Sequence, residues 1–66
     1  MDERRLNEFL EPGSFVRHPD CPEWGLGQVQ SVIGARVTVN FENAGKVVID
    51  GSRVMLLPDF GADGGG

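Results

Sequence analysis

The side chains with the most obvious chemistry are His18, Asp20 and Cys21, which lie close together in the first third of the chain. A thiolate nucleophile needs a base within hydrogen-bond reach, a group that orients the base, and a site for the oxyanion. Pro19 and Pro22 constrain this segment, but a chain of 66 residues is one small domain and offers no cleft that excludes water. We therefore predict that the chain is not an enzyme, and that His18 tethers its loop or faces a partner.

The composition argues against metals, cofactors and membranes. One Cys and one His cannot supply a four-ligand zinc site, and one Cys cannot form an internal disulfide. Gly25 and Gly27 are not followed by the Lys-Ser/Thr pair of a phosphate-binding loop. No apolar run approaches the roughly 18 residues of a membrane span, and the N-terminus lacks the apolar stretch of a secretory signal. The sequence predicts a cytoplasmic domain without a cofactor or a metal.

The acidic charge belongs to the two ends of the chain. The formal net charge is −4, from ten acidic and six basic residues. Residues 1–11 and 59–66 carry −2 each, so residues 12–58 are neutral. Nucleic-acid binders usually show a basic excess, because neutralising phosphates drives their affinity. Direct nucleic-acid binding is therefore the less favoured alternative, although the bases of the middle region could still share one face.

Trp24 is the candidate anchor of a binding site. It is the only Trp and is followed by Gly25 and Gly27, so it could stack on a partner's aromatic, proline or base, or it could fill the domain's own core. An aromatic cage for methylated side chains is not favoured, because the chain has no Tyr and few rings. We predict a partner-binding surface in which Trp24 anchors and nearby bases steer, made of Arg17, His18, Trp24, Arg36 and Lys46.

These residues must be positioned by short β-strands. Val37, Val39 and Phe41 alternate with polar neighbours, which is typical of a strand with one buried and one wet face. Similar runs are separated by glycine-containing turns, which favours a small all-β, SH3/Tudor-like five-stranded barrel. The predicted strands are residues 14–18, 27–33, 36–42, 46–50 and 53–57.

The predicted hairpin of the third and fourth strands makes two further predictions. Arg36 should lie far from Lys46 along the sheet, so the bases need not form one patch. Val48 must point opposite to Val47 and Ile49, which leaves apolar surface on the outer side unless a helix or a partner covers it.

The ends of the chain lie outside the predicted barrel. Leu6, Phe9 and Leu10 form one stripe of a short amphipathic helix over residues 2–10, which either caps the domain's own core or docks on a partner. The glycine-rich tail has nothing to bury and is predicted to be disordered. The predicted organisation is a helical extension at 1–11, a barrel at 12–58 and a tail at 59–66.

Three stretches resemble a known family: PGSFVRHP at 12–19, WGLGQV at 24–29 and VTVNF at 37–41. They are similar to the Tudor-like domain at the C-terminus of UvrD/PcrA-type DNA helicases, and to small stand-alone bacterial proteins that carry this module as a domain of unknown function. The resemblance covers residues 12–58 and implies an SH3-like barrel that contacts proteins. Helicase modules of this kind, and the related domains of CarD and the transcription-repair coupling factor, dock on RNA polymerase.

The predicted function is that of a non-enzymatic protein-binding module in transcription or DNA repair. By resemblance, its partner would be RNA polymerase or a helicase or repair complex. Two alternatives stay open at this point. One is direct nucleic-acid binding through the same bases, and the other is a structural role in which Val48 and the N-terminal helix form a homodimer, so the chain would be a monomer or a weak dimer.

Overall fold

Alternation of apolar and polar residues builds the centre of the fold. A computed structural model describes residues 10–59 of the chain. In it Val37, Val39 and Phe41 are buried, while Arg36 and Asn40 on the same strand are exposed. The predicted buried face of this strand is confirmed, because side chains with a period of two divide between the two faces of a sheet.

Within residues 10–59, five antiparallel strands form one sheet in the order β4-β3-β2-β1-β5. The all-β prediction is confirmed, and a single 3-10 turn at Pro22–Trp24 interrupts the chain between β1 and β2. The strands are β1 (Phe15–Arg17), β2 (Gly27–Ile33), β3 (Arg36–Phe41), β4 (Gly45–Asp50) and β5 (Leu57–Pro58).

The prediction of a closed barrel is wrong for residues 10–59, because the sheet stays open between β4 and β5. The fifth strand, predicted at 53–57, is only Leu57–Pro58, and Pro58 has no N–H to donate to a ladder. Residues 51–53 form a turn instead, in which the Asp50 side chain accepts hydrogen bonds from the backbone N–H (3.0 Å) and hydroxyl (2.6 Å) of Ser52.

The two predicted ends lie almost entirely outside the described residues. Of the helix predicted over residues 2–10, only Leu10 is described, and it is buried in the core. Of the tail predicted over residues 59–66, only Asp59 is described. Within residues 10–59, no helix is long and apolar enough to cross a membrane.

The core lies on one face of the sheet, and Gly27 sets how closely its side chains pack. A Cβ at Gly27 would lie 2.6 Å from side-chain atoms of both Val39 and Phe41, so only glycine lets β2 pass beneath them. The buried apolar residues are Leu10, Val16, Val29, Val37, Val39, Phe41, Ile49 and Leu56.

The register of the hairpins decides which side chains share the outer face. Between Val29 and Ser31 the β2–β3 register shifts by one, a β-bulge that leaves Gln30 as the extra residue. The β3–β4 register is regular, running from Arg36 opposite Asp50 to Phe41 opposite Gly45.

Val48 occupies the outer face of β4, as predicted, and its side chain is 59% exposed.

Candidate functional site

The segment before β2 folds back on itself. We call residues 18–26 the Trp24 loop. Its backbone closes three short hydrogen bonds, from the N–H of Cys21 to the His18 carbonyl (3.3 Å), from Trp24 to Cys21 (3.0 Å) and from Gly25 to Pro22 (3.1 Å). Pro22 sits at the start of the 3-10 turn, where its fixed φ suits the turn and its missing N–H costs nothing. The sequence therefore gives this loop a turn of its own rather than an extended path.

Glu42 and Asn43, at the end of β3, hold the Trp24 loop against the sheet. The backbone N–H of Glu42 donates to the Leu26 carbonyl (2.8 Å), and its Oε1 accepts from the Leu26 N–H (3.1 Å). Asn43 donates its backbone N–H to the Trp24 carbonyl (2.9 Å) and its Nδ2 to the Glu23 carbonyl (3.2 Å). Four hydrogen bonds thus fix the backbone on both sides of Trp24.

Gly25 lets the loop come this close to Glu42. Its φ of 79° and ψ of −159° lie in a region that is almost exclusive to glycine. A Cβ there would also meet Glu42 Oε1 at 2.9 Å. The two glycines after Trp24 therefore have separate roles, since Gly25 supplies backbone conformation and Gly27 supplies space in the core.

Trp24 lies in the middle of a stack of three rings. Its ring centroid is 4.9 Å from that of His18, edge-on, and 5.2 Å from that of Phe41, tilted. Such geometries are favourable for aromatic pairs. Trp24 packs against the core and is only partly buried, so one side chain both anchors the loop and presents surface to solvent.

His18 is 8% exposed, and its Nδ1 accepts the backbone N–H of Asp20 at 3.1 Å. The predicted tether of the loop is therefore present. Little of the His18 ring reaches solvent, and its edge-on contact with Trp24 lies within the loop.

Arg17 is held at the end of β1 by a residue from the far end of the described chain. Its Nε donates to Oδ2 of Asp59 at 2.7 Å, with half of the Arg17 side chain exposed. Asp59 also donates its backbone N–H to the Phe15 carbonyl (2.8 Å). This ion pair partly neutralises the charge of Arg17, one of the predicted contact residues.

The sheet brings four of the five predicted contact residues to one end. Val16 pairs with Gly27, Gly27 with Phe41, and Phe41 with Gly45, so these positions mark the same end of four strands. The residues at this end are Arg17, His18, Trp24 and Lys46, and we call them the Trp24 surface.

Arg36 lies at the opposite end of the sheet. It pairs across strands with Asp50, whereas Lys46 pairs with Asn40, so the predicted separation of Arg36 and Lys46 is confirmed. Arg36 therefore does not join the Trp24 surface, and the five residues do not form one patch.

The environment of Cys21 disfavours nucleophilic chemistry. Its pKa is raised above the ordinary value by desolvation, and further by the nearby charges of Glu23 and Asp20. A thiol with a raised pKa is protonated at neutral pH, and the thiolate is the reactive form.

Sequence reasoning missed Glu42 and Asn43, which brace the loop. The sequence pattern placed Glu42 at the end of the predicted third strand and Asn43 in the turn that follows it. Their partners Leu26 and Glu23 lie 16 and 20 residues away in sequence, and only the register of β2 with β3 brings them together. No local pattern carries that information.

Within residues 10–59, the fold is a small all-β sheet with an aromatic loop that Glu42 and Asn43 hold by hydrogen bonds. The chain belongs to the family described as "Protein of unknown function (DUF3553)", whose model matches residues 10–58. No curated protein and no solved structure gives a significant match to the chain.

Proposed function

We propose that this domain is a non-enzymatic protein-binding module whose contact site is the Trp24 surface. The observation that carries the proposal is a partly exposed Trp on a loop that shares four hydrogen bonds with Glu42 and Asn43. Binding energy at protein interfaces concentrates in a few residues, among which Trp and Arg are enriched.

The rigidity of the loop is what favours binding over a purely structural role. A loop that is already ordered loses little conformational entropy when a partner docks, so more of the contact energy becomes affinity. The Arg17 side chain stays half exposed beside Asp59, and Lys46 is exposed at the same end of the sheet. These bases would orient an acidic partner surface around Trp24.

We infer that the partner is a protein of a bacterial nucleic-acid machine, with RNA polymerase first and a helicase or repair complex second. This step rests on the resemblance to the Tudor-like module of UvrD/PcrA-type helicases. The positions that carry the resemblance include Val16, His18, Trp24 and Gly27. Val16 and Gly27 shape the core, and His18 and Trp24 form part of the ring stack. Trp24 is also partly exposed.

The test is direct binding of purified bacterial RNA polymerase core enzyme to the immobilised full chain, with both preparations treated with nuclease. Trp24→Phe keeps a ring against Phe41 and His18 but removes the outer part of the indole. We expect it to weaken binding about tenfold or more, as loss of an anchor does. Arg36→Glu, at the other end of the sheet, is the matched control and should bind like the wild type.

Two results would contradict the proposal. One is no binding by the wild type, and the other is equal binding by wild type and Trp24→Phe when both have the same unfolding transition by circular dichroism. A wild type that binds a DNA oligonucleotide instead, with affinity falling steeply as salt rises, would favour the nucleic-acid alternative.

A further inference from the structure

Among the described residues, 10–59, β4 is the longer of the two edge strands of the sheet. β4 lies at one end of the strand order and spans six residues, whereas the other edge strand, β5, has two residues and includes Pro58. Among residues 10–59, no strand pairs with the outer side of β4. A long exposed edge presents unpaired N–H and C=O groups that can template pairing with another chain.

The hydrogen-bond pattern shows which residues of β4 direct their backbone outward. The Gly51 N–H donates to the Ala35 carbonyl (2.6 Å), just beyond the paired residues Arg36 and Asp50. In an antiparallel ladder the bonded pairs alternate, so Ile49, Val47 and Gly45 bond to β3. The outward residues are therefore Lys46, Val48 and Asp50.

These three outward residues are self-complementary. Lys46 and Asp50 carry opposite charges and lie two residues on either side of Val48. We propose that β4 is a homodimer interface, in which two copies pair antiparallel about a two-fold axis at Val48. Lys46 of each copy then lies opposite Asp50 of the other, and the two Val48 residues lie opposite each other.

The backbone groups needed for this pairing are present. The two Val48 residues would exchange two hydrogen bonds, since each directs its N–H and C=O outward. The Asp50 carbonyl already accepts from Arg53 (3.0 Å) and Val54 (3.1 Å), but its N–H faces the carbonyl of Lys46 in the second copy. The edge thus supplies two bonds at the axis and one at each Asp50.

The charges also select one register and a second copy as the occupant. A slip by two residues would place Val48 opposite Asp50 and remove both charge pairs. Gly45 and Gly51 become opposite neighbours in the proposed register, so no side chain crowds the ends. An unrelated extended peptide could also pair with the edge, whereas a second copy of β4 presents an opposite charge at both ends.

After β4, residues 53 and 54 fold beside the Asp50 end of the edge, where their N–H groups donate to the Asp50 carbonyl. Leu56 is then fully buried in the core and Leu57 pairs with β1, so up to residue 59 the chain continues over the inner face of the sheet and away from Val48. On the outer face, Val48 is the exposed apolar residue at the axis, with Thr38 beside it on β3. Pairing would cover Val48 without moving the core.

The test measures mass against concentration by sedimentation equilibrium of the full chain. Edge pairing alone makes a small interface, so we expect a reversible dimer that forms below about 1 mM protein. In the proposed dimer, Lys46→Glu places an acid opposite Asp50 of the other copy. Asp50→Lys places a base opposite Lys46 of the other copy. Each variant alone should raise the dimer dissociation constant about tenfold or more, because like charges directly opposite destabilise paired strands.

An equimolar mixture of Lys46→Glu and Asp50→Lys should restore dimerisation, because each heterodimer then pairs opposite charges at both positions. Mixing cannot repair a damaged fold, so rescue separates the interface from loss of the Asp50–Ser52 turn. Gln28→Glu adds an acid at an exposed position of β2, away from the edge, and should dimerise like the wild type. Amide exchange at Val48 should slow as the wild-type concentration rises.

Three outcomes would overturn the proposal. The first is a wild type that stays monomeric to about 1 mM, which would leave the edge to an extended segment of another protein. The second is a dimer that Lys46→Glu does not weaken. The third is a mixture of the two variants that remains as monomeric as either alone.

Discussion

The Trp24 loop and the β4 edge solve the problem of exposed backbone in opposite ways. In the loop, the carbonyls of Glu23, Trp24 and Leu26 all accept hydrogen bonds from Glu42 or Asn43. At the β4 edge, no hydrogen bond within residues 10–59 takes the outward backbone groups of Lys46 and Val48. A surface with a satisfied backbone can bind only through side chains, whereas an open edge can bind through the main chain itself.

The two regions also differ in how their acids and thiols titrate. Desolvation and nearby acids raise the Cys21 pKa in the loop. Beside the edge, hydrogen bonds from the Ser52 side chain and backbone, with a smaller contribution from Arg53, lower the Asp50 pKa. The loop therefore keeps its thiol neutral, and the edge keeps its carboxylate charged.

The largest expected effect on stability comes from filling the space at Gly27, where β2 passes beneath the side chains of Val39 and Phe41. Gly27→Ala would place its Cβ 2.6 Å from Val39 and Phe41, so the core must shift. We expect the free energy of unfolding to fall by about 2–3 kcal/mol, as overpacked cores do. Urea denaturation followed by Trp24 fluorescence measures it.

Gly34→Ala is the control for this substitution. Gly34 also requires glycine-like backbone, with φ of 60°, but nothing lies within 4 Å of a Cβ there. Its cost should be about 1 kcal/mol, from backbone strain alone. Equal losses for the two variants would show that space under Phe41 is not what Gly27 provides.

A smaller loss of stability is expected when a hydrogen bond between Glu42 and the Trp24 loop is removed. Glu42→Ala removes the acceptor of the Leu26 N–H, and we expect a loss of about 1 kcal/mol together with stronger acrylamide quenching of Trp24. Glu23→Ala removes the same charge from the loop while leaving the carbonyl that Asn43 binds. If both variants quench equally, the brace does not order the loop.

On the edge side, Ser52→Ala should raise the Asp50 pKa towards its ordinary value, because it removes the largest cause of the lowering. A carboxyl whose pKa is lowered by folding stabilises the native state above its unfolded pKa of about 3.9. That stability is lost as the pH falls through the folded pKa. Wild type and Ser52→Ala should therefore differ in urea stability near neutral pH and converge in acid, and a constant difference would contradict this.

The smallest expected effect is that of Val48→Thr on the monomer. Val48 is exposed, so the free energy of unfolding of the Val48→Thr variant at low protein concentration should stay within about 0.5 kcal/mol of the wild-type value. Val39→Thr makes the same change at a fully buried site, where the unpaired hydroxyl should cost about 1–3 kcal/mol. Urea denaturation measures both variants. An equal loss in the free energy of unfolding for the two would contradict the assignment of Val48 to the exposed face and Val39 to the buried face.

The central strands could be predicted from the sequence because their information is local. The alternation of Val37, Val39 and Phe41 fixed the buried face, and β2 was predicted with its observed bounds, Gly27–Ile33. The predicted hairpin of the third and fourth strands also gave the separation of Arg36 from Lys46 and the position of Val48 on the outer face. Period and turn positions suffice for such statements.

The rest depended on contacts that no local pattern encodes. The run at 53–57 has the apolar character of a strand, but the bonds of Ser52 to Asp50 turn the chain and delay β5 to Leu57–Pro58. The hydrogen bond of Asn43 to the Glu23 carbonyl and the ion pair of Arg17 with Asp59 join positions 20 and 42 residues apart. Such pairs become visible only once the register of the sheet is known.

The pairing of β1 with β5 has a consequence for how the domain folds. The strands β2, β3 and β4 are joined by short turns, so they can pair through contacts that are local in sequence. The second ladder of β1 forms only when residues 57 and 58 pair with it. Contacts between distant positions slow folding, because a long loop closes before any of them forms. During synthesis, which runs at about 5–20 residues per second, β1 would keep one side open until Asp59 had emerged from the ribosome.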